Sequence, residues 1–284
     1  MRTEGLRTLV DFGGQDWDAM ARALAEIALA AGPAVMEEYA HVGASRAKAD
    51  GSPVTAADER AEAIIVARLK EIAPDIAVVA EEAAAAGAEL VAPRRFFLVD
   101  PLDGTREFLA RNGEFTINIA LVEDGEPVVG AVYAPAIDRI WFGGRGAFAA
   151  GLRVGEALPA SERCETLRVR AAPPRLTALA SRSHADPATE AFLSRLDVAE
   201  RISAGSSLKF CVIAEGRADV YPRFAPTMEW DTGAGDAVLR AAGGGVVALD
   251  GVALRYGKLG QGLRNAGFVG WGDAALSQRV INAL

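Results

Sequence analysis

The chain has 284 residues, with 30 Lys and Arg against 38 Asp and Glu, giving a formal net charge of −8. Its 51% hydrophobic and 24% charged residues are those of an ordinary globular protein, one large domain or two small ones. The acidic balance argues against nucleic acid as the main partner, the 2 histidines exclude a His-rich zinc or iron cluster, and the 2 cysteines cannot frame a disulfide scaffold.

The first 15 residues carry Glu4 and Asp11 where a signal peptide needs its apolar stretch, and no apolar run reaches the roughly 18 residues of a spanning helix. A cytoplasmic protein is expected. From Asp16 to Tyr39, Met20, Leu24, Ile27 and Ala31 recur at helical spacing, with a kink expected at Gly32-Pro33. Lys48–Asp58 follows, and its Thr55-x-x-Asp58 has the form of a capping box with Asp in place of Glu or Gln. Asp58 is thereby fixed at a helix start, either as a cap alone or also as a group that polarises a water. Ala61, Ile64, Ile65, Leu69 and Ile72 mark the inner face of that helix, which Pro74 ends. Ile76–Ala80 predicts a strand ending in Glu81-Glu82, acids that are either solvated or ligands.

The period then changes. Phe96–Val99, Phe115–Val122, Val128–Tyr133 and Ile140–Phe142 are β-rich runs separated by turn signals, which predicts an antiparallel sheet covered on one side by the helices. The first run leads into Asp100-Pro101-Leu102-Asp103-Gly104-Thr105. Close carboxylates repel unless a cation lies between them, so this segment is either a metal site or a solvated turn. Cys164 and Arg170 match the Cys-x5-Arg spacing of thiolate phosphatases. The residues between them, Glu165–Val169, contain no glycine to wrap a phosphate and read as a strand, and the adjacent Glu165 opposes a thiolate.

Past Leu158 short strands (Thr177–Ser181, Ala218–Tyr221, Gly245–Leu249) alternate with helical stretches (Pro187–Leu196, Ser206–Glu215, Asp231–Ala242, Asp273–Leu284). This α/β texture places a domain boundary near residue 165, between an α+β domain (1–165) and an α/β domain (166–284). Gly216 and Gly243 stand where helix-ending glycines belong. Asp231 opens a helix and is by itself an ordinary cap. Gly233-x-Gly235 lacks the third glycine and the leading strand of a dinucleotide loop.

In chain order, Thr55-x-x-Asp58, Glu81-Glu82, Asp100-Pro-Leu-Asp103-Gly-Thr105 and Trp230-Asp231 resemble the motifs of the lithium-sensitive, magnesium-dependent phosphatase superfamily that includes the inositol monophosphatases. The resemblance runs from about Ala19 to the C-terminus. More narrowly, Asp100–Phe108, Gly205–Cys211, Ala214–Asp219 and Tyr221–Phe224 look like the 3′(2′),5′-bisphosphate nucleotidases of the CysQ type. That resemblance implies a layered αβαβα fold with the site between an α+β and an α/β domain. It implies two or three Mg²⁺ held by Glu81, Asp100, Asp103, Asp231 and the Leu102 carbonyl, ligands of the hard oxygen type that Mg²⁺ prefers. It assigns Thr105 and Asp58 to positioning and deprotonating a water, and Gly104 and Thr105 N–H groups to the reacting phosphate.

His184, Ser206, Lys209 and Arg223 fall where such nucleotidases contact the nucleotide and its second phosphate. Ser206 and Lys209 are expected to share the first turn of a helix, whose free N–H groups would add an anion site; the bland alternative is ordinary surface charge. The implied activity is hydrolysis of adenosine 3′,5′-bisphosphate, with its sulfated relative as a further substrate. An inositol-1-phosphate or fructose-1,6-bisphosphate phosphatase is the alternative on the same fold, and a non-catalytic metal- and phosphate-binding regulator is a third. A phosphorylated nucleotide is the expected partner. A homodimer, and peripheral association with the inner face of the membrane, are left open.

Overall fold

The computed structural model of the chain describes residues 16–41, 46–47, 53–180 and 187–284, with backbone alone for 46–47 and 53–54. The Met1–Gln15 segment, Lys48–Ser52 of the capping region, His184 and the end of the expected strand at Ser181 lie outside the described residues.

Helix α1 (Trp17–Ala40) is capped by Asp16, whose side chain accepts from Ala19 N at 3.0 Å, and runs as one helix through Pro33. It is the one helix among the described residues long and apolar enough to cross a bilayer. Its Met20, Leu24, Ala28, Ala31 and Val35 are instead buried in the core. A two-stranded ribbon, β1 (Arg46–Ala47) with β2 (Pro53–Val54), leads to α2 (Ala56–Ile72). Together α1 and α2 cover one face of a seven-stranded sheet with a continuous apolar cluster.

That sheet is built in chain order from β3 (Ala77–Ala80), β4 (Arg95–Asp103), β5 (Thr116–Glu123), β6 (Glu126–Ala134), β7 (Arg139–Gly143), β8 (Ala147–Gly151) and β9 (Glu165–Leu167). All neighbours are antiparallel except β3 and β4, which are parallel and joined through the one-turn helix α3 (Glu81–Ala85) and the residues after it, while short turns join β5 to β8. A second one-turn helix, α4 (Thr105–Leu109), separates β4 from β5.

The remaining elements are β10 (Leu176–Ala180), α5 (Pro187–Leu193), β11 (Val198–Ser203), α6 (Leu208–Ala214), β12 (Val220–Arg223), β13 (Thr227–Met228), α7 (Trp230–Ala241), β14 (Gly245–Ala248), β15 (Arg264–Asn265), β16 (Phe268–Trp271) and α8 (Ser277–Ala283). Five of the strands form a sheet in the order β11-β10-β12-β16-β14. Alternation along these strands separates two faces. Leu179, Tyr221, Val246 and Phe268 pack inward on α6 and α7, while Ala178, Val220, Val247 and Val269 pack outward on α5 and α8. Helices α6 and α7 therefore lie between the two sheets, giving the αβαβα order of layers.

The middle layer is tight. A Cβ on Gly130 of β6 would stand 2.3 Å from the Ala234 carbonyl of α7, and one on Gly235 would stand 2.4 Å from the Phe210 ring. The glycine pair at 233 and 235 thus serves helix packing and lies inside α7, not in a phosphate loop.

In the second sheet β10 is parallel to both β11 and β12, and the chain crosses from one side of β10 to the other. Carboxyl ends flanking such a reversal form a crevice suited to ligands. Here those ends are Ala180, Ser203 and Arg223.

Several elements differ from expectation. β8, β11 and β16 are not foreseen, being short or half-polar, whereas β9 lies in the Glu165–Val169 run that reads as a strand; β4 continues through both aspartates instead of stopping at Val99. The C-terminal helix starts only at Ser277, after a short turn capped by Asp273.

Candidate active site

The inner face of the seven-stranded sheet changes character toward one rim. On β4 the row Phe96, Leu98 continues into Asp100, and on β5 Val122 and Ala120 continue into Asn118 and Thr116. Asp100 pairs with Asn118 and Asp103 with Thr116, so three steps along β4 match two along β5. This is a β-bulge. In a regular strand residues three apart face opposite sides; the extra residue turns both aspartates to the same face. Pro101, with no N–H to offer a ladder, suits the interruption.

The bulge delivers Asp103 to a loop from the other sheet. Its Oδ2 accepts from Ser207 N at 2.7 Å, from the Ser206 hydroxyl and, more loosely, from Asn118 Nδ2 at 3.4 Å. Thr116 Oγ1 bonds both Ser206 Oγ (2.6 Å) and Ser207 Oγ (2.8 Å), and Ser207 Oγ donates to Asn118 Oδ1 at 2.7 Å. Ser206 adopts φ +51°, a left-handed conformation. It therefore precedes α6 and does not share a helical turn with Lys209, and the Ser207 N–H expected to be free for an anion is taken by Asp103.

Three further acids stand close to Asp103. Asp100 is fully buried, accepts from Leu102 N at 3.0 Å and lies within reach of Glu81. Glu81 opens α3, whose first turn is pinned from α2: Glu62 accepts from Glu82 N at 2.7 Å and Ala83 N at 2.9 Å. Asp231, second residue of α7, accepts from Met228 N at 2.9 Å. Burial pushes the carboxyls of Asp100 and Asp231 well above their ordinary range, and the negative neighbours Glu81, Asp103 and Asp231 push further. Burial also raises Asp103, against the pull of Ser206, Lys209 and Ser207.

Asp100 and Asp231 are thus held against ionisation by their acidic neighbours. An all-oxygen, mutually repelling set is the donor chemistry of a hard divalent cation and not of zinc. The residues present fit Mg²⁺. As placed, no three His, Cys, Asp or Glu side chains among the described residues close on one point, and Asp103 is turned to Ser206 and Ser207.

Asp58 is buried at the start of α2, its Oδ2 accepting from Thr55 N and Thr55 Oγ1, both at 2.7 Å. The capping box is complete. Gly104, at φ +93°, is the N-cap of α4, a conformation that favours glycine, and Thr105 is its first residue. The Thr105 hydroxyl points to the Leu102 carbonyl at a long 3.4 Å.

Beside the acids lies a cleft of about 570 Å³ between the two sheets, lined by Asp103, Gly104, Ser206, Lys209, Arg223 and Asp231 among others. Lys209 is only 6% exposed; its ammonium donates to Ser206 O at 2.9 Å and lies 5.2 Å from the centroid of Tyr221. Arg223 ends β12, and among the described residues its side chain makes one weak bond, from Nε to Ala225 O at 3.4 Å.

Glu62, Thr116, Asn118 and Ser207 were not singled out from sequence. Glu62 leaves a trace there, as an acid beside the apolar stripe of α2. The other three leave none, because their partners lie on distant segments. Cys164, set aside above, is raised by burial and precedes β9, in keeping with a strand and not a phosphate loop.

The "Inositol monophosphatase family" pattern matches residues 16–280 of this chain. The 3′(2′),5′-bisphosphate nucleotidase CysQ of Salmonella typhimurium is 43% identical over 242 residues, 84% of this chain and 94% of that one. CysQ of Escherichia coli K12 is 42% identical over 236 residues, covering 81% and 91%. The crystal structure of CysQ from Bacteroides thetaiotaomicron, described as a bacterial member of the inositol monophosphatase family, aligns with a TM-score of 0.74 at 40% identity, covering 90% and 98%. An inositol monophosphatase from Anabaena shares the fold at a TM-score of 0.70 and 24% identity, covering 94% and 95%. The chain belongs to the inositol monophosphatase family, and within it resembles the CysQ 3′(2′),5′-bisphosphate nucleotidases.

Proposed function

We propose that the chain is a Mg²⁺-dependent, Li⁺-inhibited phosphoric monoester hydrolase that removes the 3′-phosphate of adenosine 3′,5′-bisphosphate in the cytoplasm. 3′-Phosphoadenylyl sulfate is a second substrate of the same site. One observation carries the reading: Asp103 and Asp231, two of the four acids of the cluster, line one cleft with Lys209 and Arg223. The acids call for divalent cations, and the two basic side chains suit a substrate with a phosphate beyond the one being cleaved. The identity to two CysQ nucleotidases supports it.

Glu81, Asp100, Asp103, Asp231 and the Leu102 carbonyl would hold two or three Mg²⁺. When bound, these cations invert the field of the acid cluster, polarise the attacking water and offset charge on the leaving oxygen. Residues 1–165 bring most of those ligands, and residues 166–284 bring Asp231 and the substrate contacts. The reacting phosphate lies against the N–H groups of Gly104 and Thr105. Thr105 Oγ1 orients the attacking water and Asp58 accepts its proton; the capping bonds fix the Asp58 carboxylate in place. His184, Ser206, Lys209 and Arg223 hold the nucleotide and its second phosphate. Lys209 has three donors and spends one on Ser206 O, so two remain for a ligand.

The test is phosphate release from adenosine 3′,5′-bisphosphate, inositol-1-phosphate and fructose 1,6-bisphosphate, with Mg²⁺ and with excess chelator. Turnover of the nucleotide that is fastest, Mg²⁺-dependent and suppressed by Li⁺ is expected. Full activity in chelator overturns the metal reading, and a preference for inositol-1-phosphate overturns the substrate.

A further inference from the structure

We propose that Arg106 determines substrate choice by binding the second, non-reacting phosphate from the wall of the cleft opposite Lys209 and Arg223. This rests on the bisphosphate reading above and names a contact beyond it.

Arg106 is the second residue of α4, immediately after Gly104-Thr105, where the reacting phosphate is placed. Its side chain lines the cleft and is exposed. Buried or half-buried arginines elsewhere are committed: Arg170 to Asp219 and Arg240 to Asp236, each through two hydrogen bonds. Arg106 has no ion pair or side-chain hydrogen bond among the described residues, although the adjacent Glu107 and the nearby Glu114 line the same cleft. Its five donors are therefore available.

The charges around the cleft argue that they are used. Among the described residues, the acids lining it outnumber the basic side chains by four to three. The phosphate being cleaved lies at the acid cluster, so a second phosphate, at about −1.5 to −2 near neutral pH, depends on the basic side chains away from those acids. Lys209 and Arg223 approach from the five-stranded sheet, and Lys209 is held by Ser206 O and Tyr221. Among the described residues, Arg106 is the one basic residue lining the cleft from the other sheet. A guanidinium also offers a planar fork that takes two phosphate oxygens at once, which an ammonium cannot do.

Steady-state kinetics of wild type, Arg106→Ala and Arg106→Lys on adenosine 3′,5′-bisphosphate and adenosine 3′-monophosphate test this, with adenosine 5′-monophosphate as competitive inhibitor. Arg106 is exposed and unpaired, so melting temperatures should agree. Arg106→Ala is expected to raise KM for the bisphosphate and Ki for the 5′-monophosphate about 10-fold, with kcat within about twofold and the 3′-monophosphate unaffected. Arg106→Lys should recover part of the loss. Equal losses on both substrates would assign Arg106 to the reacting phosphate, and no change on either would make it plain surface charge; both results overturn the inference. A wild type that prefers the bisphosphate as strongly as Arg106→Ala does also overturns it and leaves the substrate reading standing. A wild type without that preference removes the substrate reading and this role with it.

Discussion

Helix α7 carries two aspartates five residues apart, one half-buried and one buried, that live in opposite electrostatic surroundings. Asp236 is fully buried, and Arg240 grips it through Nε at 2.6 Å and Nη2 at 3.2 Å while the Tyr256 hydroxyl donates at 3.0 Å. Burial raises its carboxyl, and Arg240 and Tyr256 pull it back. One turn before it on the helix, Asp231 faces Asp103 and Glu81, which raise it further. Just ahead of both, Glu229 is again compensated, taking Gly257 N at 2.6 Å, Lys258 N at 3.0 Å and the Lys258 ammonium at 2.7 Å. An acid with its own cation is part of the scaffold. An acid whose neighbours are other acids costs stability and is retained for a partner that arrives from solution.

Substitutions should separate the two kinds. The largest effect is expected at Asp103. Asp103→Asn should abolish turnover while the melting temperature in chelator holds or rises, since a repelling charge is removed; scanning calorimetry and phosphate release check both. Next come Thr105 and Asp58. Thr105→Ala and Asp58→Ala should each lower kcat by roughly 10²–10⁴-fold, the scale of lost general-base assistance. Asp58→Ala also breaks the capping box, at about 1 kcal/mol. Asp58→Asn separates the two roles, since it keeps a side-chain acceptor for Thr55. Normal turnover in that variant leaves Asp58 a cap and nothing more.

On the compensated side the pattern inverts. Arg240→Met strands Asp236 in the core and should cost about 3–5 kcal/mol in urea unfolding, with kcat of the folded enzyme unchanged. A large loss of kcat in the folded population would break the distinction between the two acids.

The smallest effect concerns a third kind of buried group, one with no partner. The Tyr133 hydroxyl is buried without a hydrogen bond, and burial pushes its pKa up to about 12 from 10.0. The unfolded chain therefore releases this proton at lower pH than the native one, and stability falls as pH rises from 10 to 12. The loss should reach about 2–3 kcal/mol by linkage. Tyr133→Phe should flatten that part of the stability profile and cost little at neutral pH.

Sequence alone carried the large periodic features and the acids. The apolar stripes of α1 and α2 and the runs that became β4 to β7 are strong signals because one face of each is buried in a single cluster. β9 was legible only as the glycine-free run after Cys164, and β11, half-exposed throughout, offers no alternation to read. Glu81, Asp100, Asp103 and Asp231 were each visible, yet their convergence was supplied by family resemblance, since four elements meet there. The Ser206–Lys209 spacing misled for a local reason: Ser206 takes a left-handed conformation rare for a residue with a side chain, held by Thr116 and Asp103. Nothing within four residues of Ser206 reveals those partners.

The bulge in β4 makes chain length, more than residue identity, the guarded quantity in Asp100–Asp103. One added residue would send the Asp103 carboxylate to the opposite face, toward the α1–α2 side, whichever amino acid was added. One deleted residue would keep both acids on one face and close the ladder, removing the out-of-register carbonyl at Leu102. Pro101 and Leu102 can therefore be exchanged for other residues at graded cost, while every change of count is all-or-none. A library that varies those two positions in identity should yield a continuum of activities, and one that varies their number should yield only inactive chains.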